Sequence, residues 1–539
     1  MVGVAGFEPA TTRSQSECAT GLRYTPTDHC YFTIRTPGGT DRRHALQDQS
    51  AALDQQLSRA TAEAGESRAI TLFHETVRSV PAYRALLTEN GVDPATIRDL
   101  DSFRRLPCVT KQNYIQRHPL PDLCRSGRLD ACDMMAVSSG STGAPTFWPR
   151  NVADELNIVT RFEQIFHDSF RADERSTLAV VCFALGTWVG GMYTAACCRH
   201  LAAKGYRITT VTPGSNRDEI LRVVRELGGY YDQTVLLGYP PFVKDVIDAG
   251  AARGFEWSQY NIKLVMAGEV FSEEWRSLVG NRTGSQSPCF DSASLYGTAD
   301  AGVLANETPL SISIRRWLSS QPDFAHALFG ESRLPTVAQY DPTSRYFELV
   351  DGHLVFTGDN GVPLIRYDIL DTGGIVAYEE MIAFAGERGF DPVADLSGPS
   401  GTPPRRIRPL PFVYVFGRSD FTVSFFGANI YPENVKVALE QPPICEWVTG
   451  KFVLESLEDE DRNRRLSVTI ELAAQVAADE EKERAMEREI LIQLLRLNSE
   501  FANYVPAEYR VPHVHLRPVG DPEYFPIGVK HRYTRRMMK

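Results

Sequence analysis

The stretch from Thr177 to Gly280 constrains the fold of this chain more than any other. Short apolar runs alternate there with helical patterns, unit after unit. TLAVVCFAL is followed by GTWVGGMYTAACC, and TTVTPG by the amphipathic NRDEILRVVRELGG. TVLLGYPPFVKDVIDAGAARG and NIKLVMAGEVFSEEWRSLVG each hold a strand pattern, a turn and a helix pattern. Strands joined through helices run in the same direction, so the alternation predicts α/β layering with largely parallel strands. The run between Arg175 and Arg199 is free of charge and has about the length of a bilayer-crossing helix. Gly186, Gly190, Gly191 and several threonines interrupt it, so it reads as a buried strand, a glycine-rich turn and a packed helix.

The flanks differ from this middle. A helical pattern begins at Ala51 and is broken by Pro81. After Val303 short strand patterns with turns take over, as in RYFELVDGHLVFTGDNGVPLIRYDILDTGGIVAY, and SGPSGTPPRRIRP is a loop rich in proline and glycine. From Phe412 a smaller α+β unit follows. It holds the helix YPENVKVALE, the hairpin KFVLESLEDEDRNRRLSVTIEL with an acidic tip, and a helix with Met486, Ile490, Leu494 and Leu497 on one face. At 539 residues the chain exceeds one core. Residues 51–419 are expected to form a large domain and 420–539 a small one. Residues 1–50 show no apolar period and no apolar signal-peptide core, and resemble the read-through of a transfer-RNA gene. They are expected to be a disordered or non-native extension.

A net charge of −11 argues against a general binder of nucleic acid or of membrane surfaces. The ten cysteines are scattered without a CxxC pair, which predicts reduced thiols and a cytoplasmic protein. His513 and His515 share a strand face, but no neighbouring cysteine or carboxylate completes a metal site.

The sharpest chemical signal is VSSGSTGAPT, Val137 to Thr146. Small and hydroxylated residues let several backbone N–H groups point into one concavity, which suits phosphate oxygens. No GK[ST] follows, so it is not a Walker loop. Downstream stand SLYGTADAG, GVPLIRYDILD and FGRSDFTVSFFGANIYPENV, and LPCVTKQNYIQ lies upstream. In this order the segments resemble those of the adenylate-forming superfamily, and from about Ser67 the chain resembles its phenylacetate–coenzyme A ligase branch. MAGEVFSEEWR resembles the glycine–acid element of that branch.

The resemblance implies a large amino-terminal domain of mixed sheets and helices with a small mobile α+β carboxyl-terminal domain. It implies that Ser138, Ser139, Gly140, Ser141, Thr142 and Gly143 hold the ATP phosphates, and that Tyr296, Gly297 and Thr298 flank the adenine. Asp300 would bind magnesium, since a carboxylate oxygen suits that hard cation. Asp371 would accept the ribose hydroxyls. Thr357-Gly358-Asp359 mimics the usual motif but precedes Arg366-Tyr367, which favours Asp371. Arg418 would contact ribose and phosphate, Asp420 would be the hinge, and Gly427 and Asn429 would face the thiol tunnel. Lys530 is the implied catalytic lysine, its ammonium bridging carboxylate and α-phosphate. Phe183, Trp188, Tyr239 and Gly268 would line the acid pocket, though core packing explains those aromatics equally. Arg405, Arg406 and Arg408 read as a solvated loop or as contacts to a cofactor phosphate.

The chain departs from the family pattern at Ala144, where lysine is common, at Ala299, at Asp300 in place of glutamate, and at Asp368-Ile369-Leu370-Asp371. The implied activity is ATP-dependent formation of an acyl-adenylate from a small, preferably aromatic, carboxylic acid, followed by transfer to coenzyme A. Two alternatives remain at this stage: transfer to a carrier-protein thiol or a nitrogen nucleophile, and a noncatalytic nucleotide-binding relative. A monomer or homodimer is expected.

Overall fold

The computed structural model describes residues 53–138, 146–331, 334–397, 406–418, 422–473, 475–525 and 533–534. The chain divides into Met1–Arg43 and His44–Lys539, and every described residue belongs to the second unit. The expected extension over residues 1–50 therefore lies outside the described residues.

The alternating region folds as its pattern predicts. Strands β1 (Met134–Ser138) and β2 (Thr146–Arg150) form an antiparallel ribbon ahead of it. Then come β3 (Thr177–Val181), β4 (Ile208–Val211), β5 (Gln233–Gly238), β6 (Ile262–Ala267) and β7 (Ser292–Thr298). These pair in parallel in the order β4-β3-β5-β6-β7. The helices between them start at the residues that local chemistry favours. Asn216 accepts a hydrogen bond from the Glu219 amide at 3.1 Å, Pro240 opens Pro240–Ala252, and Ser272 accepts from the Trp275 amide at 3.2 Å. The charge-free run becomes the wholly buried β3 and the helix Val189–Ala203. No helix among the described residues is long and apolar enough to cross a membrane.

The strands beyond Val303 do not form a layer of their own. Strands β8 (Gly302–Asn306), β9 (Thr336–Gln339), β10 (Arg345–Val350), β11 (His353–Gly358), β12 (Leu364–Val376) and β13 (Phe412–Arg418) extend the same sheet. The full order is β10-β11-β12-β13-β9-β8-β7-β6-β5-β3-β4, eleven strands, parallel at one end and antiparallel at the other. The reversal falls between β7 and β8, where Gly302 takes φ +70°.

Arg408 corrects the reading of its loop as solvated. Arg408 is buried and donates to both oxygens of Asp168, at 2.6 and 2.9 Å, and to Asp54 at 2.9 Å. Arg406 also pairs with Asp54 at 2.9 Å. Arg408 clasps the segment around Asp54, and Arg406 pairs with the same carboxylate while staying exposed, as a solvated loop residue would. Arg405 lies outside the described residues.

The carboxyl-terminal part begins with a two-stranded hairpin, β14 (Val423–Phe425) and β15 (Ala428–Ile430). Its turn residues Phe426 and Gly427 have φ of +52° and +81°, the geometry of a primed two-residue turn. Strands β16 (Val448–Glu458) and β17 (Arg464–Leu472) form the acidic-tipped hairpin, and β18 (His513–Arg517) adds in parallel to β17. The helix Glu480–Leu497 buries Met486, Ile490 and Leu494, with Leu497 half-buried at its end. One apolar core runs from β3–β7 into these elements. The described cysteines carry free thiols, and the described residues contain no group of three or more potential metal ligands.

Candidate active site

The carboxyl end of β7 and the strands beside it gather motifs that are far apart in sequence. Tyr296 on β7 donates its hydroxyl proton to Asp371 on β12 at 2.7 Å. Asp371 is buried and stands opposite Arg418 in the β12–β13 register. A buried carboxylate needs partners, because leaving it bare costs several kcal/mol; the tyrosine hydroxyl supplies one. Gly297 lies against the Gly302 carbonyl, where a Cβ would come within 2.6 Å of the oxygen. Thr298 accepts from the Ala301 amide at 3.1 Å and closes the turn that carries Asp300.

That turn is held from below. Arg150 donates to the carbonyls of Ala299 at 2.5 Å and Asp300 at 3.0 Å, and Arg345 donates to that of Ala301 at 3.1 Å. Both guanidiniums are buried, and burial lowers the pKa of Arg345. The half-buried Asp300 carboxylate accepts from the Tyr367 hydroxyl at 2.5 Å. Tyr367 lies on β12, whose backbone brackets Val109: the Val109 amide donates to Arg366 at 3.0 Å and the Asp368 amide to Val109 at 2.8 Å. Two residues on, the Lys111 ammonium reaches the Ser138 hydroxyl at 3.1 Å. Ser138 also accepts from the Trp148 indole at 2.9 Å. The lead-in segment, the start of the Ser/Gly-rich segment, the β7 motif and the β12 motif are thus joined by direct contacts.

Asp359, the alternative to Asp371, points elsewhere. It pairs with Arg125 at 2.6 Å and Arg68 at 3.3 Å.

The proposed pocket residues form a second cluster. Phe183 packs edge-on against Tyr239 with centroids 4.9 Å apart. Trp188 meets Tyr504 at 4.8 Å, and Tyr504 lies 5.3 Å from Tyr239. Gly268 and Gly427 both face the Tyr239 ring; a Cβ would come within 2.8 Å at Gly268 and 2.3 Å at Gly427. Both have positive φ, so glycine is required twice over. The Asn429 amide donates to Glu500 at 3.0 Å. Burial raises the pKa of the Tyr239 phenol.

Ser139, Gly140, Ser141, Thr142, Gly143, Asp420 and Lys530 lie outside the described residues, and of Arg418 only the backbone is described. Lys111 and Tyr367 in the site, and Glu269, which accepts the Gly427 amide, were given no chemical role from the sequence. Each sat inside a quoted motif, so the signal was present. What the sequence lacked was the partner, which is supplied from 27, 67 and 158 positions away respectively.

No family model matches the chain. Phenylacetate-coenzyme A ligase of Thermus thermophilus is 23% identical over 397 residues, covering 73% of this chain and 77% of that protein. The Escherichia coli phenylacetate-coenzyme A ligase is 28% identical over 152 residues, 28% of this chain and 32% of that protein. Among solved structures, 2-hydroxyisobutyryl-CoA ligase in complex with 2-HIB-AMP and CoA in the thioesterification state superposes with a TM-score of 0.61. It is 17% identical and covers 88% of this chain and 89% of that one. The chain therefore shares the fold of this acyl-CoA ligase and is similar, at 23–28% identity, to phenylacetate–coenzyme A ligases as their distant homologue.

Proposed function

We propose that this chain activates a small carboxylic acid with ATP and passes the acyl group to the thiol of coenzyme A. The observation that carries the reading is the convergence of Tyr296, Asp371, Asp300, Tyr367, Lys111 and Ser138 through direct hydrogen bonds. In the first half-reaction a carboxylate oxygen attacks the α-phosphorus, the bond to pyrophosphate breaks and acyl-AMP forms. In the second, the thiolate attacks the acyl carbon and AMP leaves. Asp371 accepts the ribose hydroxyls, with the Tyr296 ring and Gly297 beside the adenine, and Arg418 contacts ribose and phosphate. Ser138 to Gly143 donate to the phosphates, and Lys530 neutralises charge as the new bond forms. Magnesium, held by Asp300 together with the nucleotide phosphates, would withdraw charge from the leaving pyrophosphate.

The aromatic side chains Phe183, Trp188 and Tyr239 favour an aromatic acid, whose ring they would contact. Residues 51–419 form the acid- and ATP-binding domain and 420–539 the mobile one, with Asp420 as hinge and Gly427 and Asn429 at the thiol tunnel. A pyrophosphate-release screen over aromatic and aliphatic acids, run with and without coenzyme A, tests the reading. Acid-dependent release with thioester formed only in the presence of coenzyme A is expected. Tight ATP binding without release from any acid would overturn it, and release with acylation only of an amine or carrier protein would overturn the choice of acceptor.

A further inference from the structure

We propose that Glu269 is a positioning residue for the acyl-transfer step, a buried latch that holds the Phe426–Gly427 turn and β17 against the large part of the molecule. One carboxylate oxygen accepts the Gly427 amide at 2.5 Å, and the other accepts Arg464 at 2.6 Å. The Glu269 side chain is wholly buried, and that of Arg464 is 14% exposed. The second Arg464 nitrogen donates to the Val270 carbonyl at 2.9 Å, so the guanidinium grips the same loop twice.

Other polar links across this boundary do not reach the turn: Tyr509 donates to the buried Asp245 at 2.8 Å, the buried Lys244 donates to Asn463 at 2.8 Å, and the remaining pairs have exposed acids. Glu508, which meets Arg217 at 2.9 Å, is 47% exposed, and Asp461, which pairs with Arg282 and Lys244, is 52% exposed. Exposed pairs contribute little, whereas breaking a buried one leaves an uncompensated charge. Glu269 is the one of these links that bonds the Phe426–Gly427 turn directly. Its effect falls on Gly427, whose Cα lies close to the position a Gly268 Cβ would take (3.8 Å) and whose turn presses on the Tyr239 ring. Under the proposed function this is the face that admits the thiol, and the assignment of a step to the latch rests on that reading. The latch itself does not.

The test uses the full chain and two readouts. Backbone hydrogen exchange of wild type, Glu269→Ala, Glu269→Gln and Arg464→Met is followed by mass spectrometry. In Glu269→Ala, protection should fall locally in peptides spanning 423–430 by about ten- to hundredfold, the range that a hydrogen bond to a charged group is worth. Glu269→Gln keeps an acceptor for the Gly427 amide and should recover part of that protection. Arg464→Met should loosen the same peptides. Unchanged protection at 423–430 would overturn the latch, and loss spread evenly over the whole chain would overturn a positioning role. The second readout separates the half-reactions. Pyrophosphate release from acid and ATP should stay within about twofold of wild type, while conversion of supplied acyl-adenylate to thioester should fall by about tenfold or more, again the worth of such a bond. Equal loss in both half-reactions would overturn the assignment to acyl transfer. If wild type shows neither half-reaction while the exchange result holds, the functional reading fails and the latch stands.

Discussion

Tyr296 and Asp371 lie 75 positions apart and meet at 2.7 Å. Removing the hydroxyl in Tyr296→Phe leaves the Asp371 carboxylate buried with one donor fewer, and Asp371→Asn removes the charge that the ribose hydroxyls would meet. Hydrogen bonds to charged groups are worth about 1.5–3 kcal/mol, so Asp371→Asn should raise the apparent KM for ATP by about ten- to hundredfold. Tyr296→Phe should give a smaller rise in the same direction. Steady-state kinetics against ATP check both, and an unchanged KM in Asp371→Asn would remove this residue from the nucleotide site. Asp300→Asn keeps the shape and the Tyr367 contact but loses the charge, so the magnesium concentration for half-maximal adenylation should rise. Wild-type behaviour at low magnesium would show that this carboxylate does not hold the ion. Motif order favours Asp371 over Asp359, because the family string places the acid after the Arg-Tyr pair. The role of Arg125 and Arg68 in occupying Asp359 was not legible. No local pattern says which distant guanidinium will reach which carboxylate.

At the scale of elements, the parallel strands and their helices were legible, because amphipathic periods and capping residues are local. That β8–β13 continue the same sheet was not, since strand pairing is a long-range choice that the period of a strand does not encode. The same limit applied to Arg408. In sequence it sits in a proline- and glycine-rich loop and reads as solvated; in the fold it spans from Asp168 to Asp54 and ties the start of the described chain to the segment before β13. Arg408→Met would leave Asp168 buried without its cation. Removing one partner of a buried pair costs about 3–5 kcal/mol, so the midpoint of chemical denaturation should drop clearly. A loss below about 1 kcal/mol, the level typical of exposed pairs, would mean that the pair is not buried in solution.

For the whole molecule, Leu53, Leu57 and Ala60 are buried with Leu410, and Asp54 pairs with Arg406 and Arg408. A chain starting at Ala51 should therefore keep its melting temperature and turnover, while one starting at Thr61 should melt lower. A large loss in the first truncation would show that residues 1–50 contribute to the fold. The proposed activation turns on a single bond, the one between the acid's oxygen and the α-phosphorus of ATP. It is tested most directly by supplying an acid found active in the screen with its carboxylate labelled in heavy oxygen, adding ATP and coenzyme A, and weighing the nucleotide product by mass spectrometry. Attack on the α-phosphorus predicts AMP carrying one labelled oxygen per thioester formed. Unlabelled AMP, or label recovered in inorganic phosphate alongside ADP, would contradict it.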